Sequence, residues 1–116
     1  MNLNQADPVL DAAPGIFFMF DEQGLFVGWN RACLELFGRA PEEMAQTHAL
    51  DVVAPDQLDR ARTALATLLG GEPVTMELDF IVADGGRRAF HGTAMPVEHR
   101  GRHLFSGLLV DITERH

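Results

Sequence analysis

The chain has no lysine and no tyrosine, a single cysteine (Cys33) and a single serine (Ser106), and all nine of its basic residues are arginine. Without lysine there is no Schiff-base chemistry and no phosphate-loop ammonium. Without tyrosine there is no phenolic general acid. One cysteine excludes an intrachain disulfide and cannot build a thiolate metal site alone. Ser106 sits in the middle of an apolar run rather than on a nucleophile elbow. Positive charge is scarce: 17 acidic residues against nine basic ones leave a net charge of −8. That balance argues against nucleic acid or an anionic membrane as partner, since both need a cationic face. No apolar run approaches the ~20 residues that span a bilayer, so no direct membrane insertion is expected. No signal peptide opens the chain, and the expected setting is cytoplasmic.

What is present is ordinary soluble composition, 47% hydrophobic and 22% charged over 116 residues, enough for one domain with one core. The most informative stretch lies at 103–113. Leu104, Leu108, Val110 and Ile112 share one face with Ser106, and Phe105, Gly107 and Leu109 share the other. A strand apolar on both faces is covered on both, so this is expected to be a central strand.

In chain order, Asp7 caps a short helix over 7–13, with Pro8 in its first turn and Pro14-Gly15 ending it. Strands over 16–20 and 25–29 flank the turn Asp21-Glu22-Gln23-Gly24, forming a hairpin with aromatics on both arms. Asn30 caps a helix over 31–37 that Gly38 closes, and Pro41 starts another turn of helix. Residues 46–53 carry few helix signals. An amphipathic helix is expected over 55–69, with Leu58, Ala61, Leu65 and Leu68 on one face and Gly70-Gly71 at its end. Residues 74–82 alternate as a half-buried strand, Asp84-Gly85-Gly86 turns it, and a return strand over 87–97 is expected to stop at Pro96. The turn at 99–102 leads into the final strand. The fold class is α+β: a five-stranded antiparallel sheet with short helices over one face.

In that order, several motifs accumulate. They are Phe20-Asp21-Glu22-Gln23-Gly24, Trp29-Asn30-Arg31-Ala32, Phe37-Gly38 with Pro41-Glu42-Glu43-Met44, Val53-Ala54-Pro55-Asp56, Asp84-Gly85-Gly86-Arg87 and Asp111-Ile112-Thr113-Glu114-Arg115. As a set, across roughly residues 7–115, the sequence resembles a PAS domain (sensory box), the sensory module of many bacterial signalling proteins. The resemblance implies a single PAS domain: a core over 15–113 with strand order 2-1-5-4-3, an N-terminal helix over 7–13, and the start of a signalling linker at 114–116. It implies a cavity between sheet and helices, a signal exit at Asp111 and Thr113, and an attached output domain such as a histidine kinase or diguanylate cyclase. A regulatory rather than catalytic role follows, and no complete nucleophile, base or metal-ligand set contradicts it.

Laid on that pattern, Phe18, Phe20, Leu78, Phe80, Phe90, Gly92, Phe105, Gly107 and Leu109 face inward, with Cys33, Leu34, Leu58, Ala61 and Leu65 opposite and His48 near the mouth. Gly92 and Gly107 are expected to leave room for a small or flat ligand; the plainer reading is that these side chains only fill a core. The covalent flavin photoadduct is rejected. The family's Asn-Cys pair reads His48-Ala49 here, and Phe80, Phe90 and Leu109 replace the polar residues that hold a flavin. Haem is disfavoured, since residues 55–69 contain no histidine. The cofactor is left unknown.

His48 is read either as a ligand contact or pH-sensitive hydrogen bond, or as a loop histidine bonded to backbone. His91 is placed on the outward face, and Cys33 is expected to be a packing thiol. The outer sheet face carries Phe17, Met19, Leu104, Leu108, Val110 and Ile112, a patch that rarely stays wet. A homodimer is expected to cover it, together with Val9 and Leu10 of the N-terminal helix. Two functions remain open: a ligand-sensing domain acting through dimer geometry, and a ligand-free dimerisation or protein-interaction module.

Overall fold

The computed structural model describes residues 15–112. Five antiparallel strands form one sheet in the order β2-β1-β5-β4-β3: β1 (Ile16–Asp21), β2 (Phe26–Trp29), β3 (Val74–Ile81), β4 (Arg87–His99) and β5 (Arg102–Asp111). β5 lies in mid-sheet, paired with β1 from Ile16↔Leu109 to Asp21↔Leu104 and with β4 from Phe90↔Asp111 to His99↔Arg102. Between β2 and β3 run three α-helices, α1 (Arg31–Phe37), α2 (Pro41–Met44) and α3 (Leu58–Leu69), with 3-10 turns at Ala49–Val52 and Pro55–Gln57.

Local chemistry sets the elements. In the first hairpin, Asp21 Oδ1 accepts from the backbone N–H groups of Gln23 (2.9 Å) and Leu25 (3.1 Å). Gly24 supplies φ 87° there, and a Cβ on it would lie 2.2 Å from the His48 ring, so only glycine fits. Asn30 opens α1 and also staples it to the sheet. Its Oδ1 accepts from the N–H groups of Cys33 (3.0 Å) and Phe17 (3.2 Å), and its Nδ2 donates to the Gly15 carbonyl (3.3 Å). At 1% exposure Asn30 is a buried polar group fully engaged in bonding. The β4–β5 connection has positive φ at both central residues, Arg100 (52°) and Gly101 (78°), the mark of a type I′ turn.

The core is aromatic: Phe18, Phe20, Phe26, Phe37, Phe80, Phe90 and Phe105 are all buried. Their rings meet in pairs, Phe18–Phe26 edge-on at 5.4 Å, Phe20–Phe105 stacked at 5.4 Å and Phe80–Phe90 edge-on at 5.8 Å.

Three element boundaries differ from expectation. β4 does not stop at Pro96 but continues to His99, with Pro96 opposite Phe105. β3 pairs only as far as Val74↔Ala94, so past Ala94 that side of β4 has no ladder bond for proline to lose. The long helix begins at Leu58, after a tight turn at Pro55–Gln57, because Gln57 is committed elsewhere: its Oε1 accepts from the Asp79 N–H of β3 at 2.6 Å. The Ala54 N–H also donates to the Asp79 carbonyl (3.0 Å), and Arg60 Nη2 donates to that of Glu77 (2.8 Å). These contacts occupy the outer edge of β3, which would otherwise invite pairing by another strand. Residues 49–52, read as irregular, form a 3-10 turn capped by His48. The helix expected over 7–13, with Val9 and Leu10, and likewise Thr113 and residues 114–116, lie outside the described residues.

Candidate functional site

The inward side of the sheet does not close completely against the helices. A cavity of about 100 Å³ remains, bounded by Phe18 and Phe20 of β1, Val74, Met76, Leu78 and Phe80 of β3, Gly92 and Ala94 of β4, and Leu109 of β5. Ala61, Ala64, Leu65 and Leu68 of α3 form the opposite wall, and Phe26, Phe37, Ala49, Leu50, Val52 and Val53 close one end. Thr93 also touches it, but Thr93 belongs to the outward-facing set of β4, is exposed, and borders the groove on the other side of the sheet. Every other lining side chain is apolar. Leu65, Val74, Met76 and Leu78 are half-buried, so the seam between α3 and β3 is the thin part of the wall.

Of the residues expected there, Phe18, Phe20, Leu65, Phe80, Gly92 and Leu109 line the cavity, as do Ala61 and Leu78; Cys33, His48, Leu58, Phe90, Phe105 and Gly107 do not. Gly107 explains part of the difference. The space beside Gly107 holds the Phe18 ring, which would stand 2.4 Å from a Cβ at that position. Beside Gly92 stands Leu109 Cδ2, at 3.0 Å from a Cβ there. Phe90 and Phe105 are turned into the ring contacts with Phe80 and Phe20. The open volume lies instead beside small residues, Ala49, Ala61, Ala64 and Ala94. Of these only Ala61 was expected; alanines carry no distinctive signal in sequence, which is why Ala49, Ala64 and Ala94 were missed along with Met76 and the 50–53 segment.

His48 is a backbone ligand. Its Nδ1 accepts from the Leu50 N–H (3.0 Å), while its own N–H donates to Asp51 Oδ2 (2.9 Å). Cys33 is fully buried, and burial pushes its thiol up to about 12, leaving it protonated and unreactive at neutral pH. His91 sits on the outward side, opposite Glu77 and Val110. Among the described residues, no group of three or more His, Cys, Asp or Glu comes together to hold a metal ion. No helix among them is long and apolar enough to cross a membrane. The charged contacts lie outside the cavity. Arg87 bridges Asp56 (2.9 Å) and Asp79 (2.9 Å), and its guanidinium holds the Asp56 carboxyl below the usual range. Arg88 pairs with Asp111 at the end of β5.

The outer face is divided. Met19 (8%) and Leu104 (1%) are buried, and Phe17 and Ile112 are half-buried. Leu108 (37%), Val110 (44%) and Met95 (52%) are exposed. Phe17, Met95, Ser106 and Leu108 border an open groove of about 430 Å³ with Thr75 and Thr93. Met95 was not anticipated on this surface, although its position two residues beyond Thr93 puts it on the same face of β4.

Among curated protein sequences, none matches this chain significantly. Solved structures match closely in shape and weakly in sequence. A PAS domain from Colwellia psychrerythraea superposes with TM-score 0.80 at 18% identity, covering 92% of this chain and 93% of that one. A domain of the sensory box sensor histidine kinase/response regulator from Geobacter sulfurreducens gives 0.72 at 21%, covering 89% and 88%. The PAS domain of nitrogen regulation protein NR(II) from Vibrio parahaemolyticus gives 0.72 at 16%, covering 90% and 94%. At such identities the likeness speaks for the fold alone. A family model described as PAS fold matches residues 10–116. With the strand order, the capped helices and the sheet-facing cavity in agreement, the chain belongs to the PAS family.

Proposed function

We propose that this domain is a sensory module: a small ligand in the inner cavity biases the sheet, and the sheet passes the change to an attached output domain through the geometry of a homodimer. The observation that carries this reading is the position of β5. Leu109 lines the cavity, while its neighbours Leu108 and Val110 project onto the exposed outer face. Side chains alternate along a strand, so a displacement at Leu109 is felt one residue away on the opposite side. Just beyond, Asp111 is held by Arg88 and the Ile112 N–H donates to the Ala89 carbonyl (3.1 Å). The start of the exit, at Asp111, therefore moves with β4 and β5. The output is a population shift between dimer arrangements, with no bond made or broken. An output domain of histidine kinase or diguanylate cyclase type fits this role, and the Geobacter relative is itself part of a sensor histidine kinase/response regulator.

A second reading, a ligand-free dimerisation module, draws on the filling of the glycine gaps by Phe18 and Leu109. Light scattering and native mass spectrometry separate the two. The sensory reading expects a dimer at micromolar concentration that Met95→Glu with Leu108→Glu makes monomeric without loss of fold, and a domain that takes up a small molecule. A sharply monomeric wild type overturns the dimer mechanism; a dimer that binds no small molecule favours the second reading.

A further inference from the structure

We infer that the ligand class of the inner cavity is an uncharged, apolar molecule no larger than about one six-membered ring, admitted between α3 and β3. This rests on the cavity being the input site. Size comes first. At about 100 Å³ the cavity is well below the roughly 300–1,000 Å³ typical of pockets for drug-sized ligands, which leaves no room for an extended heterocycle or a porphyrin. It is comparable with an apolar protein cavity of roughly 150 Å³ that stays dry and binds benzene or xenon.

Chemistry narrows the class further. The walls from β1, β3, α3 and the 49–53 segment carry only Phe, Leu, Val, Met and Ala side chains. His48, the nearest plausible polar contact by sequence, spends its Nδ1 on the Leu50 N–H. Among the described residues, one buried side-chain polar atom has no partner, Nε2 of His99, and His99 is not part of the lining. A hydroxyl, amine or carboxylate brought into this space gives up its water and finds nothing to replace it. An apolar ligand loses nothing of that kind and gains close contact with rings and methyl groups.

The way in is indicated by burial. Ala64, Leu65, Val74, Met76 and Leu78 are the lining residues that α3 and β3 leave half-exposed, and they meet along one seam. Met76 at that seam is unbranched and adaptable, suited to a wall that must yield.

The test uses the purified chain with benzene and phenol as probes, followed by methyl NMR and thermal unfolding. Benzene is expected to shift the methyl resonances of Leu65, Leu68 and Leu109 saturably and to raise the midpoint, with phenol at least tenfold weaker. Ala64→Leu, at a half-exposed position on the seam, is expected to abolish the benzene shifts; should that variant fail to fold, the wild-type titrations decide alone. Phenol binding as tightly as benzene at the same methyls overturns the ligand class and leaves the input site standing. Neither probe shifting any lining methyl overturns both, since the cavity is then only core.

Discussion

Alkaline stability offers a sharp test of the core around α1, because this composition isolates one titration. The buried Cys33 thiol is raised from 9.0 to about 12 by desolvation. The chain has no lysine and no tyrosine, and arginine keeps its charge, so no other side chain titrates between those values. In the unfolded chain the thiol ionises near its ordinary value; in the folded protein it stays protonated. Stability is therefore fully present below about pH 9 and is lost as pH rises toward 12, since ionisation then favours the unfolded state. At ~1.4 kcal/mol per pH unit the loss reaches roughly 2–3 kcal/mol by pH 11. Trp29, the only tryptophan and 4% exposed, reports unfolding by fluorescence in urea titrations from pH 8 to 11. The wild type is expected to weaken steadily across this range, while Cys33→Ala starts lower and stays flat. Equal slopes for the two proteins, or thiol labelling of the native state at the rate of a free cysteine, would refute the assignment.

Three substitutions probe other joints. Gly107→Ala drives a methyl into the Phe18 ring and is expected to cost about 1–3 kcal/mol, read as a fall in Tm that Phe18→Leu partly restores; an unchanged Tm would mean the ring does not occupy that gap. Asn30→Ala strands the Phe17 N–H, removes the side-chain cap on the Cys33 N–H (which keeps only its bond to the Asn30 carbonyl, 3.1 Å) and is expected to cost ~2–4 kcal/mol in urea unfolding, with Asn30→Asp milder because an acceptor remains; equal losses for both would contradict this. Arg100→Asn relieves a left-handed residue in the β4–β5 turn and is expected to stabilise by about 1 kcal/mol in calorimetry, and a destabilised variant would count against the type I′ turn.

Much of this architecture was legible before any coordinates. The double-sided apolarity of residues 104–112 announces a central strand, and β5 lies between β1 and β4. The Asn30 cap and the Gly38 terminus are local signals, and both operate where the residues stand, with Gly38 at φ 64°. Such features depend on a residue and its near neighbours, so they survive whatever the rest of the chain does. The misread boundaries share a different cause. Gln57 leaves the helix to bond Asp79, 22 residues away, and Pro96 is tolerated in β4 because β3 has already ended. No local pattern carries that information.

The amino-acid order by itself determined which faces are apolar, where α1 starts and stops, and that no lysine, tyrosine or thiol-pair chemistry is available. Only the packed tertiary structure decided where space is left. A void is the small remainder after side chains from distant strands and helices have met: Phe18 closes the gap at Gly107, Leu109 narrows the one at Gly92, and the opening extends from there along Ala61, Ala64 and Ala94. That remainder depends on all the contacts at once, which is why glycine positions alone could not locate it: Gly92 lines the cavity and Gly107 does not.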